Sequence, residues 1–454
     1  MRAFIVVDLG FGDSGKGLLT DFLVRQKQAG VVVRYNGGAQ AAHNVVTPDG
    51  RHHTFSQFGA GTFLPGVKTY LSRHVVIHPT ALLVEGDMLA SKGVVDPFGR
   101  LRISEQALVI TPFHQAANQF RETLRGDERH GSCGVGVGET VEDALTNPSL
   151  SIVTRDLYDF VTLRRKLLAI RAYKRDQLAA WMKETQTPTL PPAMRRVFED
   201  DTVIDGWVSA TRKVAELGLV VSDMLLQRWL GETDCAVFEG AQGVLLDAEA
   251  GFHPYTTWSR STAENALSLL REYQPHAQSF QIGVLRAYAM RHGPGPLPTE
   301  ADELRALVSE HNQHNAWQGD VRYGWFDAVL ARYALQVAGV PDALLVTHMD
   351  VLPKLPSWKY SSGYQHVGPV FRSLAQSMFI NDRLSQFHFP VPLDLARREQ
   401  FTHELSTTTP FLEECPADEV TVVETLQTLI GQAVGLISTG PTHKHIRTLD
   451  ALPD

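Results

Sequence analysis

Continuous apolar runs broken by glycine turns set the pattern of this chain. Phe4–Val7 is such a run and predicts a buried strand. A glycine-rich turn, GFGDSGKG at 10–17, follows it, and a helical pattern runs from about Lys16 to Gln28. Residues 31–35 predict a second short strand, 69–83 a strand and then a helix, and 101–111 another strand. Amphipathic helices fill about 156–230. Residues 235–247, 280–288 and 343–347 predict further core strands. His292–Pro298 is rich in glycine and proline and must be loop. The stretch 36–61, rich in Gly, Ala, Gln and His, reads as one long loop, a length that usually carries function. Strands alternating with helices predict an α/β fold: a large, mainly parallel central sheet with flanking helices. No linker is clear, so 1–454 reads as a single domain with a helical insertion around 156–230.

Composition narrows the class. The 43% hydrophobic and 20% charged residues are those of an ordinary globular protein. A net charge of −8 argues against a nucleic-acid partner. Cys133, Cys235 and Cys415 show no metal-like spacing and suit a reducing compartment. No apolar run reaches membrane-spanning length and no signal peptide is evident, so a cytoplasmic location is expected.

Strand, glycine loop and helix together hold polyphosphate, because glycines let N–H groups approach the oxygens and the helix start adds partial positive charge. Gly10 to Lys16 fits G-x-x-x-x-G-K, but Gly17 stands where a P-loop places the Ser or Thr that ligates Mg²⁺. Asp13, inside the loop, offers a hard oxygen instead. A carboxylate among phosphates is repelled, so Asp13 is expected to bind metal, handle a proton, or both.

Three further segments carry candidate chemistry. After the second strand, GGAQAAH at 37–43 combines small residues with one imidazole, His43. Loops at strand C-termini gather along one edge of a doubly wound sheet, which would bring His43 near Asp13. An acid that accepts a proton and an imidazole that donates one suit phosphoryl transfer to an oxygen. FEGAQG at 238–243 places the Gln242 amide in a turn where it can orient an oxo group. Thr347-His348-Met349-Asp350 resembles the T/N-K-x-D element that reads guanine, with His348 at the lysine position, and Ser438-Thr439-Gly440 offers backbone groups for a base edge.

These segments, in this order, resemble the adenylosuccinate synthetase family: FGDSGKG, RYNGGAQAAHN, GSCGVGVGETVED, FEGAQGVLLD, HPYTT, GVLRAY, GPGPLPTE, GWFD, THMD and ISTGP. The resemblance implies a ligase that uses GTP to join aspartate to inosine monophosphate, with Mg²⁺, small-molecule substrates and a homodimer. It implies that Asp13 is the base at purine N1 and a metal ligand, with the Ala42 carbonyl as a second ligand. His43 would be the acid and Gln242 the amide on the 6-oxygen. Gly12, Ser14, Gly15, Lys16 and Gly17 would hold the GTP phosphates, and Thr347, His348, Asp350, Ser438, Thr439 and Gly440 its base. Gln40, Ala41, Ala42, Cys133 and Thr257 would line the acceptor site, and Gln318, Gly319, Asp320 and Arg322 the amine-donor loop. Arg155 is a candidate for the arginine that crosses the family's dimer interface.

The chain departs from the family at specific points. Ser14 replaces a glutamate, Gln40 an asparagine, Cys133 a phosphate-contacting threonine and Val135 an arginine, while Thr257 is retained. In the loop that clamps the family's aspartate, only Arg322 remains of several arginines. Each lost charge-assisted bond to a carboxylate costs about 1.5–3 kcal/mol, roughly ten- to a hundredfold in binding. Two alternatives therefore stand beside the family's own reaction. One is a divergent paralogue using the same activation chemistry on another oxo acceptor, such as a guanine nucleotide, or with another amine. The other is a non-catalytic nucleotide-binding switch, which would have no need of His43 and Gln242.

Overall fold

The structure, a computed structural model, describes residues 1–187, 189–308, 314–374, 377–389, 394–450 and 452. Ten strands form the central sheet: β1 Arg2–Asp8, β2 Val31–Arg34, β3 Lys68–Leu71, β4 Leu101–Ser104, β5 Val220–Val221, β6 Cys235–Glu239, β7 Gln278–Arg286, β8 Ala343–Thr347, β9 Leu436–Ser438 and β10 Ile446–Thr448. Their order is β10-β9-β8-β7-β1-β6-β2-β3-β4-β5. Every pair is parallel except β9 with the edge strand β10.

β1 is central because both its faces are apolar. Ala3, Ile5 and Val7 pack into one cluster and Phe4 and Val6 into another, the period-two alternation of a strand. Helix α1, Lys16–Gln26, covers the second face with Leu19 and Leu23. The parallel neighbours of β1, β6 and β7, are likewise buried toward their C-terminal ends, apolar up to the charged Glu239 and Arg286 that close them.

Three expected elements differ. His292, expected to open the loop 292–298, instead ends the strand Ala289–His292, which pairs with Gly319–Gly324. The loop 36–61 contains an antiparallel pair, His43–Val46 with His52–Phe55. The run 101–111 is broken after Ser104, whose hydroxyl accepts from Gln106 N, and Leu108–Val109 pairs with Val76–Ile77 instead. Residues 156–230 carry the helices Phe160–Glu184, Pro192–Glu199, Thr202–Glu216 and Met224–Gly231. Leu163, Leu167 and Ile170 there pack with Phe113, Phe120 and Val214 in a core of their own. A five-stranded sheet built from Phe326–Asp327, Trp358–Gln365, Met378–Ile380, Arg383–Gln386 and Thr409–Cys415 stands beside the main one. The apolar pattern does not announce it, because its strands interleave Ser361, Ser362 and Gly363 with short apolar runs.

Candidate active site

The phosphate loop leaves β1 at Asp8 and enters α1 through Gly15, whose φ is +104°. Asp8 organises this loop. Its buried carboxylate accepts from Gly10 N at 2.9 Å, Ser14 N at 2.9 Å, Ser14 Oγ at 2.8 Å and Lys16 Nζ at 2.7 Å. Lys16 is therefore held against the strand end, only 2% exposed. Ser14, where the family has a glutamate, supplies the hydroxyl that closes this network.

Three loops converge on the phosphate loop. Strand β8 brings Thr347, whose Oγ1 donates to Ser14 O at 2.7 Å. A Cβ on Gly15 would sit 3.0 Å from Thr347 Cγ2, so only glycine fits this contact comfortably. Strand β9 lies next to β8 and carries Ser438, whose Oγ donates to Gly440 O, and Thr439, whose N donates to His445 O. Asp350 is exposed on the short helix Met349–Lys354. His348 turns inward: its Nδ1 lies 2.9 Å from Thr347 Oγ1 and its Nε2 2.6 Å from Arg286 Nη2. Burial, and then the Arg286 charge, push the His348 imidazole well below its ordinary pKa.

On the other flank, a Cβ on Gly17 would meet Asn44 O at 2.9 Å and His43 Cβ at 3.0 Å, so helix α1 lies directly against the His43 strand. His43 Nδ1 is 2.5 Å from Glu239 Oε1, and Glu239 Oε2 accepts from Ala60 N. Burial, followed by the charge of Arg34, lowers the His43 pKa to about 4. Burial would raise Glu239, but Arg34 and His43 outweigh it and hold it below the usual carboxylate range. The neutral imidazole thus keeps its proton on Nδ1, toward Glu239. Nε2 is buried without a partner among the described residues. Asn36 pins the next turn, accepting from Ala241 N at 2.7 Å and donating to Ala241 O and Arg260 O. That turn presents Gln242, and a Cβ on Gly12 would lie 3.7 Å from its backbone. Gln40 Oε1 is also buried without a partner among the described residues, next to buried Ala41 and half-buried Ala42.

Asp13 faces a partner that its sequence neighbourhood does not reveal. Its Oδ2 is 2.9 Å from His292 Nε2. Burial alone would raise its pKa; His292, Lys16 and Arg286 outweigh burial and bring it to about 2. Asp13, Gln242 and His348 all hold positive φ, at 53°, 64° and 58°. Side-chain residues in that region cost energy and gather where function needs them. His292 escapes a reading of motifs because it is a lone histidine beside a loop; Arg286 falls within GVLRAY, but a single arginine ending a strand signals no role of its own. Asp8 and Glu239 are readable as single acids ending apolar strands.

The remaining expected residues divide. Cys133 is half-buried, with burial raising its pKa, so the thiol is protonated. Thr257 N donates to Leu246 O at 2.8 Å. Gln318 N donates to Asn315 Oδ1, Gly319 has a φ of +93°, and Asp320 pairs with His314 at 2.7 Å on the exposed rim. Arg322 does not stand open as a clamp. Its Nε donates to Glu300 Oε1 at 2.8 Å, Nη2 to Glu300 Oε2, and Nη1 to Gly295 O at 2.8 Å and Gly293 O at 3.2 Å. Arg155 is exposed, its N donating to Glu105 O.

The family model described as adenylosuccinate synthetase matches residues 5–447. The chain belongs to the adenylosuccinate synthetase family. This places it among GTP-dependent ligases of purine biosynthesis that act on small molecules. An adenylosuccinate synthetase of Thermobifida fusca is 30% identical over 457 residues, with all of both chains covered. One of Anaeromyxobacter dehalogenans is 32% identical over 397 residues, covering 86% of this chain and 87% of the relative. Among solved structures, the fully ligated adenylosuccinate synthetase of Plasmodium falciparum superposes with a TM-score of 0.75 at 18% identity, covering 99% and 100% of the two chains. The succinoaminodeoxyadenylate synthetase of cyanophage S-2L, bound to dGMP and to dATP as an energy donor, gives 0.60 at 17% identity, covering 98% and 95%. Both share the family's fold. Among the described residues, no helix is long and apolar enough to cross a membrane.

Proposed function

We propose that this family member transfers the γ-phosphate of GTP to the 6-oxo group of a purine nucleotide, inosine monophosphate in the family's own reaction. An amine then displaces the phosphate at C6; in that reaction it is the amine of aspartate, and the product is adenylosuccinate. The supporting observation is the packing of Gly15 on Thr347, Gly17 on His43 and Gly12 on the Gln242 turn. Three loops so close to one phosphate loop make a site for a triphosphate and an acceptor together.

In this reading Lys16 and the N–H groups of Gly12, Gly15 and Gly17 hold the phosphates, with Ser14, bonded to Asp8 through its N–H and hydroxyl, fixing the loop around them. Asp350, Ser438, Thr439 and Gly440 hold the base, and Gln40, Ala41, Cys133 and Thr257 border the acceptor. Asp13, ionised, takes the N1 proton. The Gln242 amide donates to the oxygen as charge grows on it. His43, neutral at its buried position, gains a proton as phosphate anions approach, because nearby negative charge favours imidazolium. It donates that proton from Nε2 while Glu239 holds Nδ1. Charge stabilised in a dry, preformed site is the main source of rate in such transfers.

Magnesium suits the donor set. Asp13 is ionised and its side chain is 29% exposed, and the Ala42 carbonyl lies on the adjoining loop. Mg²⁺ prefers one or two carboxylates, substrate phosphates and water, and bound here it would neutralise phosphate charge. A homodimer, with Arg155 reaching the partner's site, completes the reading, and the chain 1–454 acts as one unit.

A second reading, another acceptor such as a guanine nucleotide or another amine, is favoured by the bonding of Arg322 to Glu300. The test is purified protein with GTP, Mg²⁺, a 6-oxopurine nucleotide and a mixture of amino acids. A new C6–N product with matching GDP supports the proposal. GTP turnover that ignores every purine acceptor refutes it.

A further inference from the structure

We infer that the amine taken by this ligase carries no side-chain carboxylate. The inference rests on the proposed activation of the 6-oxo oxygen and concerns the displacement that follows. Two sides of Asp13 already have occupants in that reading: the nucleotide base by Thr347, and the oxo group by His43 and Gln242. The side left for the amine is the one that His292 marks. His292 ends the strand Ala289–His292, which pairs antiparallel with Gly319–Gly324 and leads into the turn 293–298. The loop 131–136 closes against it: a Cβ on Gly131 would lie 2.9 Å from Pro294 Cδ, and one on Gly134 2.4 Å from Trp317 Cδ1.

Among the described residues, Arg291 and Arg322 brace this wall, Arg125 beside the 131–136 loop is paired with Glu122, and Arg286, whose charge acts on Asp13, bonds Tyr288 and His348. Arg291, 2% exposed, donates to Pro294 O at 2.9 Å, Pro296 O at 3.1 Å and Tyr255 O at 3.3 Å, with its guanidinium over the Phe11 ring. Arg322 holds the same turn through Gly293 O and Gly295 O and pairs with Glu300. His292 is engaged with Asp13 and His314 with Asp320. His130, its ring 6.3 Å from that of Tyr255, is neutral at pH 7: burial, then Arg125, brings it to about 4. The described stretch 314–323 contains no lysine and no arginine besides Arg322. Among the described residues, the guanidinium groups of Arg125, Arg286, Arg291 and Arg322 already have partners, so a side-chain carboxylate brought here would lose water for cations that are committed elsewhere, an unfavourable exchange. Trp317, against the loop at Gly134, offers an apolar surface instead.

The step balances with any simple amine. The nitrogen lone pair forms the C6–N bond, the C6–O bond breaks, inorganic phosphate leaves with the electron pair, and the nitrogen gives up one proton.

The wild-type protein is tested with GTP, Mg²⁺ and inosine or guanosine monophosphate, offering aspartate, glycine, alanine and ammonium separately at equal concentration. The best non-acidic amine is expected to exceed aspartate at least about tenfold in kcat/KM, the lower bound for one missing charge-assisted bond. Equal or better use of aspartate overturns the inference, as does capture of none of the four. Positional isotope exchange in GTP, with acceptor and no amine, is run in parallel. Scrambling without a preference for non-acidic amines defeats this inference alone. Absence of scrambling defeats the proposed activation, and the inference with it.

Discussion

His43 Nδ1 meets Glu239 Oε1 at 2.5 Å, with both side chains buried and the opposite ring nitrogen left without a partner among the described residues. The carboxylate fixes the tautomer, and the fixed tautomer decides which nitrogen faces the reaction. Glu239→Gln is expected to lower kcat by about ten- to a hundredfold with little change in the KM for GTP. His43→Asn should cost about 10²–10⁴-fold, the range of general acid catalysis. Steady-state kinetics of both variants checks this.

The same pair predicts a pH dependence of stability. His43 titrates near 4 in the folded protein against an ordinary value of 6.5. The unfolded chain therefore takes up a proton first as pH falls. Its contribution is fully present above pH 6.5 and is lost as pH falls toward 4, on the order of 3 kcal/mol. Denaturant melts across that window should show the loss, and His43→Asn should flatten it.

Asp13 carries the proton from N1 in this account. Asp13→Asn keeps the shape and removes the base, and turnover should fall at least about a thousandfold, combining lost proton transfer and lost charge stabilisation. Binding of GTP, followed by calorimetry, should weaken far less than turnover.

Lys174 has no exposed side-chain surface and donates to Glu139 Oε2 at 2.6 Å and Asp143 Oδ1 at 2.8 Å. Both acids sit on the helix Val137–Thr146, which follows the loop carrying Cys133. Lys174→Met leaves Glu139 with Arg121 and Asp143 with His114, each without its buried cation Lys174, and should destabilise the protein by about 3 kcal/mol. Equilibrium unfolding measures it.

The long apolar strands and the glycine loop are legible in sequence because a continuous apolar run bounded by glycines has little choice but to be buried strand. His43, Gln242 and Thr347 are legible because each ends or follows such a strand. The pairings are not. Asp13 and His292 lie near opposite ends of the first two thirds of the chain, Glu239 reaches back to His43, and single His or Glu residues carry no periodic signal. Arg322 shows the limit from the other side: its type and place are plain in the sequence, while its orientation toward Glu300 follows from a strand pairing that only the folded chain reveals.

The most direct test follows one oxygen atom. Inosine monophosphate labelled with ¹⁸O at the 6-oxo position is turned over with GTP and an accepted amine, and the released phosphate is analysed by mass spectrometry. Phosphate bearing one ¹⁸O per turnover is the predicted result. Unlabelled phosphate, with product still formed, would contradict it.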